Sequence, residues 1–157
     1  MVLHFIRIVT SGNVVLLKIG RNVCTQIFRN GVSRPLSVTF KKLNQMIRGW
    51  IRYFKISSIK GFLDKFGQWL RHKVRCIIIK QWKRPMTIYN NLMKLNKACR
   101  SNLTHEDIFK CANSRLGWYR RSCGNIVNFL LSSTVLGIKK GDRPGLVNPL
   151  DYYLEIL

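Results

Sequence analysis

From Leu43 to Phe54 the chain reads LNQMIRGWIRYF, and Phe40, Leu43, Ile47, Trp50 and Phe54 recur at spacings of three and four residues. That period lays one apolar, aromatic-rich stripe along an α-helix. Lys41, Lys42, Arg48, Arg52 and Lys55 fall mostly on the other faces. The rest of the chain repeats the arrangement, with aromatic anchors for an inside, positive charge for an outside and very few carboxylates.

A chain of 157 residues suits one domain or two small ones, and at this length roughly 70% of the unfolded surface can be buried. Hydrophobic residues make up 46%, enough for a true core, so disorder is not the expectation. The charge balance is extreme: 28 Lys and Arg face 6 Asp and Glu, a net of +22. Self-repulsion of that size works against a compact state unless a polyanion neutralises it. Between Arg34 and Arg84 stand 14 basic residues and one acid, Asp64. Even as a generic cationic surface, this composition points to nucleic acid.

Membrane and metal readings are weaker. No apolar run approaches the roughly 20 residues that a spanning helix requires. The N-terminal stretch is interrupted by Arg7 and by Ser11-Gly12-Asn13, which makes a poor signal peptide. A basic amphipathic helix can lie on anionic lipid, but several aromatic-rich segments in succession look more like a folded core. The cysteines (Cys24, Cys76, Cys99, Cys111 and Cys123) are odd in number and no two are separated by only two residues. The three histidines do not fall at ligand spacing either, so no zinc or other metal is expected. Cys76 and Cys111, among apolar neighbours, read as core thiols, and the usage suits a reducing compartment.

The fold class expected is mainly α: a small helical bundle followed by a short helical, loop-rich C-terminal region. At the N-terminus, Leu3–Val9 and Val14–Ile19 read as two short strands around the Ser11-Gly12-Asn13 turn, a β-hairpin. Gly20–Pro35 reads as irregular, with Gly31 and Pro35 as a boundary. A long amphipathic helix follows from Leu36 or Ser37 to about Ile56, then a second over roughly Phe62–Trp82, with Phe62, Phe66, Trp69, Leu70, Val74, Ile77 and Ile78 inward. Pro85 suits the first turn of a third helix, Met86–Lys97. Thr104-His105-Glu106-Asp107 resembles a capping box and opens a helix to about Tyr119. Gly141–Gly145 reads as a loop, and Asp151–Leu157 as a closing helix.

Catalytic chemistry is poorly supplied. Clustered carboxylates hold Mg²⁺ in polymerases and nucleases, but the adjacent pair here, Glu106-Asp107, stands at a helix start where acids favour the macrodipole. His72 lies in Arg71-His72-Lys73, where it extends a cationic face, and His105 lies within the capping segment. There is no Gly-rich phosphate loop and no nucleophile elbow. No catalytic residue and no cofactor is therefore assigned. Binding chemistry is plentiful by contrast: Lys and Arg on helix faces neutralise phosphates with counterion release, Arg forks pair with them, and exposed aromatics stack on unpaired bases. Trp50, Tyr53, Trp69, Trp82 and Trp118 read first as core, with Tyr53, Trp82 and Tyr119 the best candidates for stacking.

Taken together, Leu43-Asn44, Arg48-Gly49-Trp50, Tyr53-Phe54, Trp69-Leu70-Arg71 and Trp82-Lys83-Arg84, in this order and spacing, resemble the maturase-specific (X, or thumb) domain of group II intron-encoded reverse transcriptase/maturases. Tyr89-Asn90-Asn91-Leu92 and Ala112–Arg120 look like the small DNA-binding region that follows the thumb, and Asp151-Tyr152-Tyr153-Leu154 looks like that family's chain end. The resemblance covers about residues 25–157. It implies a divergent segment at 1–34 (a hairpin remnant), the maturase-specific helical domain at 35–84 and a DNA-binding-like region at 85–157. The polymerase part with its Tyr-x-Asp-Asp signature and the Cys-rich His-Asn-His endonuclease have no counterpart in this sequence, so copying and cutting are not carried over.

What the resemblance implies instead is an RNA-binding maturase module, not itself an enzyme, that stabilises the active fold of a group II intron RNA. Arg48, Arg52, Lys55, Lys60, Arg71, Lys73 and Arg75 would contact the intron, and Lys83, Arg84, Arg115, Arg120 and Arg121 would meet RNA or target DNA. Leu43, Ile47, Trp50, Phe54 and Trp69 would form the structural core, and Gly49 would allow close approach of a helix or of the phosphate backbone. A separately encoded reverse transcriptase is a further expected partner. The alternatives are a C-terminal fragment of a group II intron reverse transcriptase, a degenerate remnant of one, and a generic basic RNA-binding protein. Without a transit-like leader the expected location is a bacterial cytoplasm, an organelle being the alternative.

Overall fold

A computed structural model describes residues 13–55, 59–137 and 145–157, with side chains from Gly20 onward. The described residues are mainly α-helical: α1 Asn13–Arg29, α2 Leu36–Phe54, α3 Lys60–Trp82, α4 Pro85–Cys99, α5 His105–Ala112, α6 Trp118–Ser122, α7 Asn125–Leu130, α8 Ser133–Leu136 and α9 Pro149–Glu155. Among them, β pairing is confined to one parallel bridge between Gly137 and Leu146. The chain forms two compact units, one of residues 1–70 with 137–157 and one of residues 71–136.

In the first unit α2 packs against α1 and α9. It buries Thr39, Phe40, Leu43, Ile47 and Ile51, the three-and-four period that an amphipathic helix needs to turn one side inward. Pro35 stands just before its first turn with ψ at 140°. Its carbonyl accepts from the Val38 and Thr39 amides and so starts the ladder of α2. The aromatic rings form a continuous row. Trp50 lies 5.1 Å from Phe54, 5.2 Å from Phe62 and 5.9 Å from Phe66 by ring centroids. Phe66 stacks on Trp69 at 5.8 Å, and Phe28 of α1 meets the edge of Trp69 at 5.9 Å. Such offset and edge contacts add about 0.5–1.5 kcal/mol each beyond area burial.

The N-terminal hairpin is not what forms. Val14–Ile19 belongs to α1, and the helix continues through Arg29 where irregular chain was expected; Leu3–Val9 lies outside the described residues. Short β-branched runs read as strands locally, but Gly20, Cys24 and Phe28 are the buried positions, and a spacing of four is helical. Gly20 faces the Phe66 ring, which an added Cβ would meet at an ordinary contact distance of 3.4 Å.

The C-terminal segment is tied to α2 by Asn44. Its Nδ2 donates to the Gly145 carbonyl at 2.7 Å, and its Oδ1 accepts from the Val147 amide at 2.9 Å. Leu146, Val147, Pro149 and Tyr153 are buried, so the amide clamp and apolar burial act on the same stretch.

The second unit contains the later half of α3 and helices α4 to α8. Here α4 packs on α5 and α7, and Val74, Cys76, Ile77, Ile78, Ile79, Ile88, Leu92, Ile108, Val127 and Leu130 are buried. Arg84 is extended and Pro85 opens α4, where a missing N–H costs nothing. Arg100 closes the same helix in the left-handed region, φ 50°, its N–H reaching the carbonyls of Asn96 and Lys97. The Thr104 hydroxyl caps α5 by accepting from the Asp107 amide, as the capping segment predicts. That helix does not run to Tyr119, however. Asn113 turns its Nδ2 back to the Phe109 carbonyl and Ser114 Oγ accepts from the Leu116 amide, and such local side-chain bonds compete with helix continuation.

Candidate nucleic-acid interface

In the first unit the face of α2 opposite the buried stripe carries Lys41, Lys42, Arg48 and Arg52, all exposed. Lys41, Arg48 and Arg52 share one side because seven- and four-residue steps return to the same side of a helix. Lys55 and Lys60 are exposed as well. Tyr152 of α9 draws two of these cations together: Arg52 Nε donates to its hydroxyl at 2.9 Å, and the Arg48 guanidinium lies 5.7 Å from its ring centroid. Among the described residues the contacts of both forks are these two with Tyr152, and Arg engages a phosphate through paired N–H donors. Arg21 likewise lies 5.3 Å over Trp69.

Of the expected core, Leu43 and Ile47 are fully buried, whereas Trp50, Phe54 and Trp69 are half-buried members of the aromatic row. The Trp50 indole Nε1 is shut off from solvent with no hydrogen-bond partner among the described residues. Gly49 is exposed, and an added Cβ would meet nothing within 4 Å. Helix packing therefore does not explain that glycine.

In the second unit the cations divide into two kinds. Lys83, Arg84, Arg115 and Arg120 are exposed. Arg71 is half-buried, and Lys73 Nζ lies 5.3 Å over the Tyr119 ring. Arg75 is committed inward: its Nε donates to the Leu131 carbonyl at 2.8 Å and its Nη1 to Asn128 Oδ1 at 2.7 Å. Burial first, and then the like charge of Arg71, pull Arg75 below the usual guanidinium value. Arg121 is half-buried; its Nη2 donates to the Ser114 carbonyl and its guanidinium lies 5.5 Å from the Trp118 centroid.

Two sequence expectations change here. His72 does not extend a cationic face. It packs edge-on to Tyr119 with centroids 4.3 Å apart, beside Ser122, Cys76 and Cys123. Burial, then the charges of Lys73 and Arg75, hold its pKa below the ordinary value. Trp118, read first as core, is exposed together with Tyr119, while Trp82 is half-buried. Tyr53 is 65% exposed, and Phe109 and Phe129 are exposed as well as Trp118 and Tyr119. Of the core thiols, Cys76 is buried and Cys111 half-buried, and desolvation raises the pKa of both.

Sequence reasoning missed Asn44 and Tyr152 as organisers of the first unit. Asn44 was legible only as a small amide interrupting an apolar stripe, and nothing local says that it grips residues about 100 positions away.

Comparison with known proteins bears on residues 16–96, more than half of the chain, which match the family described as the group II intron, maturase-specific domain. The match begins nine residues before the resemblance read from the motifs, inside α1, and ends within α4. No curated protein matches the chain.

Proposed function

Since this chain belongs to the group II intron maturase-specific domain family, we propose that it is an RNA-binding maturase module that holds a group II intron RNA in its splicing-competent fold. The observation that carries the reading is α2, whose apolar side is buried in the first unit while Lys41, Lys42, Arg48 and Arg52 stand exposed on the other. On this reading the intron RNA performs the transesterifications, and the protein neutralises phosphates where helices of the RNA must approach each other. Arg48, Arg52, Lys55 and Lys60 form the primary contact. In the second unit Arg71 and Lys73 contact the RNA as well, whereas Arg75 acts by fixing the turn around Leu131. Residues 85–157 form the DNA-binding-like region, with Lys83 and Arg84 just before it and Arg115, Arg120 and Arg121 within it facing RNA or target DNA. A bacterial cytoplasm is the proposed location, and a separately encoded reverse transcriptase a proposed partner.

Binding of a group II intron RNA, measured against a length-matched unrelated RNA over a salt series, tests this directly. With around eight phosphate contacts, log affinity falls with log salt at a slope of about −6 to −7, and the intron RNA is preferred. Equal affinity for both RNAs would sink the maturase reading and leave a generic basic RNA-binding protein.

A further inference from the structure

Within the second unit, residues on and around α5, α6 and α7 line an open hollow of about 550 Å³. That lies inside the range of about 300–1,000 Å³ typical of small-molecule sites. Its wall is predominantly apolar, with Leu103, Leu116 and Ile126 in the lining, and Lys110, Arg120 and Arg121 supply three cations. Asp107 is the acid among the lining residues; its carboxylate already accepts from the Thr104 hydroxyl at 2.6 Å. Glu106 offsets Lys110 only weakly, at 3.7 Å between two largely exposed groups. A greasy hollow with surplus positive charge suits a ligand that is flat and apolar at one end and anionic at the other.

Arg121 adds an independent observation. Its Nη2 is satisfied by the Ser114 carbonyl and its guanidinium lies near Trp118, yet its Nε is shut off from solvent and has no hydrogen-bond partner among the described residues. A buried unpaired donor costs about 1–3 kcal/mol, and in a native protein such a group calls for an explanation. A guanidinium that re-aims slightly to fork a phosphate removes that cost. The exposed Trp118 ring stands beside the same arginine.

We propose that this cavity takes one unpaired nucleotide, its base against Leu103, Leu116 and Ile126 and its 5′-phosphate on Arg121 and Arg120. The site deepens the RNA-binding reading and rests on it: single-stranded loops and bulges are where proteins gain a splayed base, by apolar contact on its faces and cations on its phosphate. In a rigid duplex the bases are paired and stacked, so none is free to fill a hollow of this size. Recognition of an extruded nucleotide therefore supplies selectivity for folded RNA that the exposed cations of α2 lack.

The test titrates the full chain with adenosine 5′-monophosphate and follows backbone amide shifts. Saturable shifts clustered in residues 103–126 are expected, with adenosine alone and inorganic phosphate alone each at least about tenfold weaker, equivalent to about 1.4 kcal/mol. Leu116→Glu, a change at a side chain 51% exposed, places a carboxylate in the lining and weakens binding about tenfold. Leu154→Glu, the same change at an equally exposed leucine outside the cavity, leaves it unaltered. A 2′-deoxyadenosine 5′-monophosphate arm identifies the source: equal affinity admits single-stranded DNA, and weaker binding restricts the site to RNA. Shifts scattered over the basic surface, or equal loss in both leucine variants, overturn the proposal. A chain that prefers intron RNA but ignores the monophosphate loses the cavity and keeps the maturase reading. A chain that binds the monophosphate in the cavity yet does not discriminate RNAs keeps the cavity and loses that reading.

Discussion

Arg52 donates from Nε to the hydroxyl of Tyr152 at 2.9 Å, a contact between residues 100 positions apart in the sequence. The same ring lies under Arg48, so one tyrosine near the C-terminus sets the spacing of two cations on α2. Long exposed side chains lose rotamer freedom when they bind. Fixing one beforehand is worth about 0.5–1.5 kcal/mol of affinity. Tyr152→Phe, which keeps the ring and removes the acceptor, is expected to weaken intron RNA binding by up to about tenfold through Arg52 while leaving the melting temperature nearly unchanged. Combining it with Arg52→Gln distinguishes pre-ordering from a direct contact: the two losses add less than independently if Tyr152 acts through Arg52.

Asn44 holds the segment that carries Tyr152. Its side-chain amide meets the Gly145 carbonyl and the Val147 N–H like a short piece of paired strand. Asn44→Ala removes both bonds and strands two backbone groups in a largely buried setting, at a cost of about 2–4 kcal/mol by the usual penalties for lost and orphaned hydrogen bonds. Amide exchange at Val147 should accelerate more than exchange at Leu43 or Ile47, because the tail is freed while α2 retains its stripe. Uniform acceleration across the first unit would mean that the clamp sustains the whole unit rather than the tail.

Gly49 is a mid-helix glycine with open space where a Cβ would stand. Alanine at such a position stabilises a helix by roughly 0.5–1 kcal/mol. Gly49→Ala is therefore expected to raise the denaturation midpoint. If a phosphate backbone approaches α2 here, the same variant binds intron RNA more weakly despite being more stable. Unchanged affinity in the stabilised protein would remove Gly49 from the interface.

The helical character of the chain and the α2, α3 and α4 boundaries were legible because apolar spacing, Pro35 and Pro85 act locally. The N-terminus misled for an equally physical reason. Val14 to Ile19 are β-branched-rich, and the evidence for helix lies in the later buried positions Gly20, Cys24 and Phe28, of which Gly20 faces Phe66 and Phe28 faces Trp69, both on α3. Composition identified the cations, yet it could not separate Arg75, held by Leu131 and Asn128, from exposed Arg120. That distinction depends on residues more than 50 positions away. For the same reason Asn44 and Tyr152 were visible as letters of a motif but not as a clamp and a spacer.

His72 makes stability depend on pH near neutrality. In the folded chain its pKa lies below the ordinary value because burial and the neighbouring Lys73 and Arg75 disfavour the imidazolium. The unfolded chain thus binds a proton first as pH falls through about 6.5. Between that value and the lower folded one, the unfolded state holds more protons, so stability rises with pH and falls on acidification. The contribution is complete above the unfolded pKa and is lost as pH drops toward the folded one. The buried thiol of Cys24, pushed up to about 12, titrates well above this window. Melting temperatures recorded from pH 8 to pH 5.5 should therefore decline for the natural chain and decline less for His72→Gln, which keeps a polar side chain beside Ser122 without the titration. Parallel curves for the two proteins would assign the decline to another group and show that His72 titrates alike in both states.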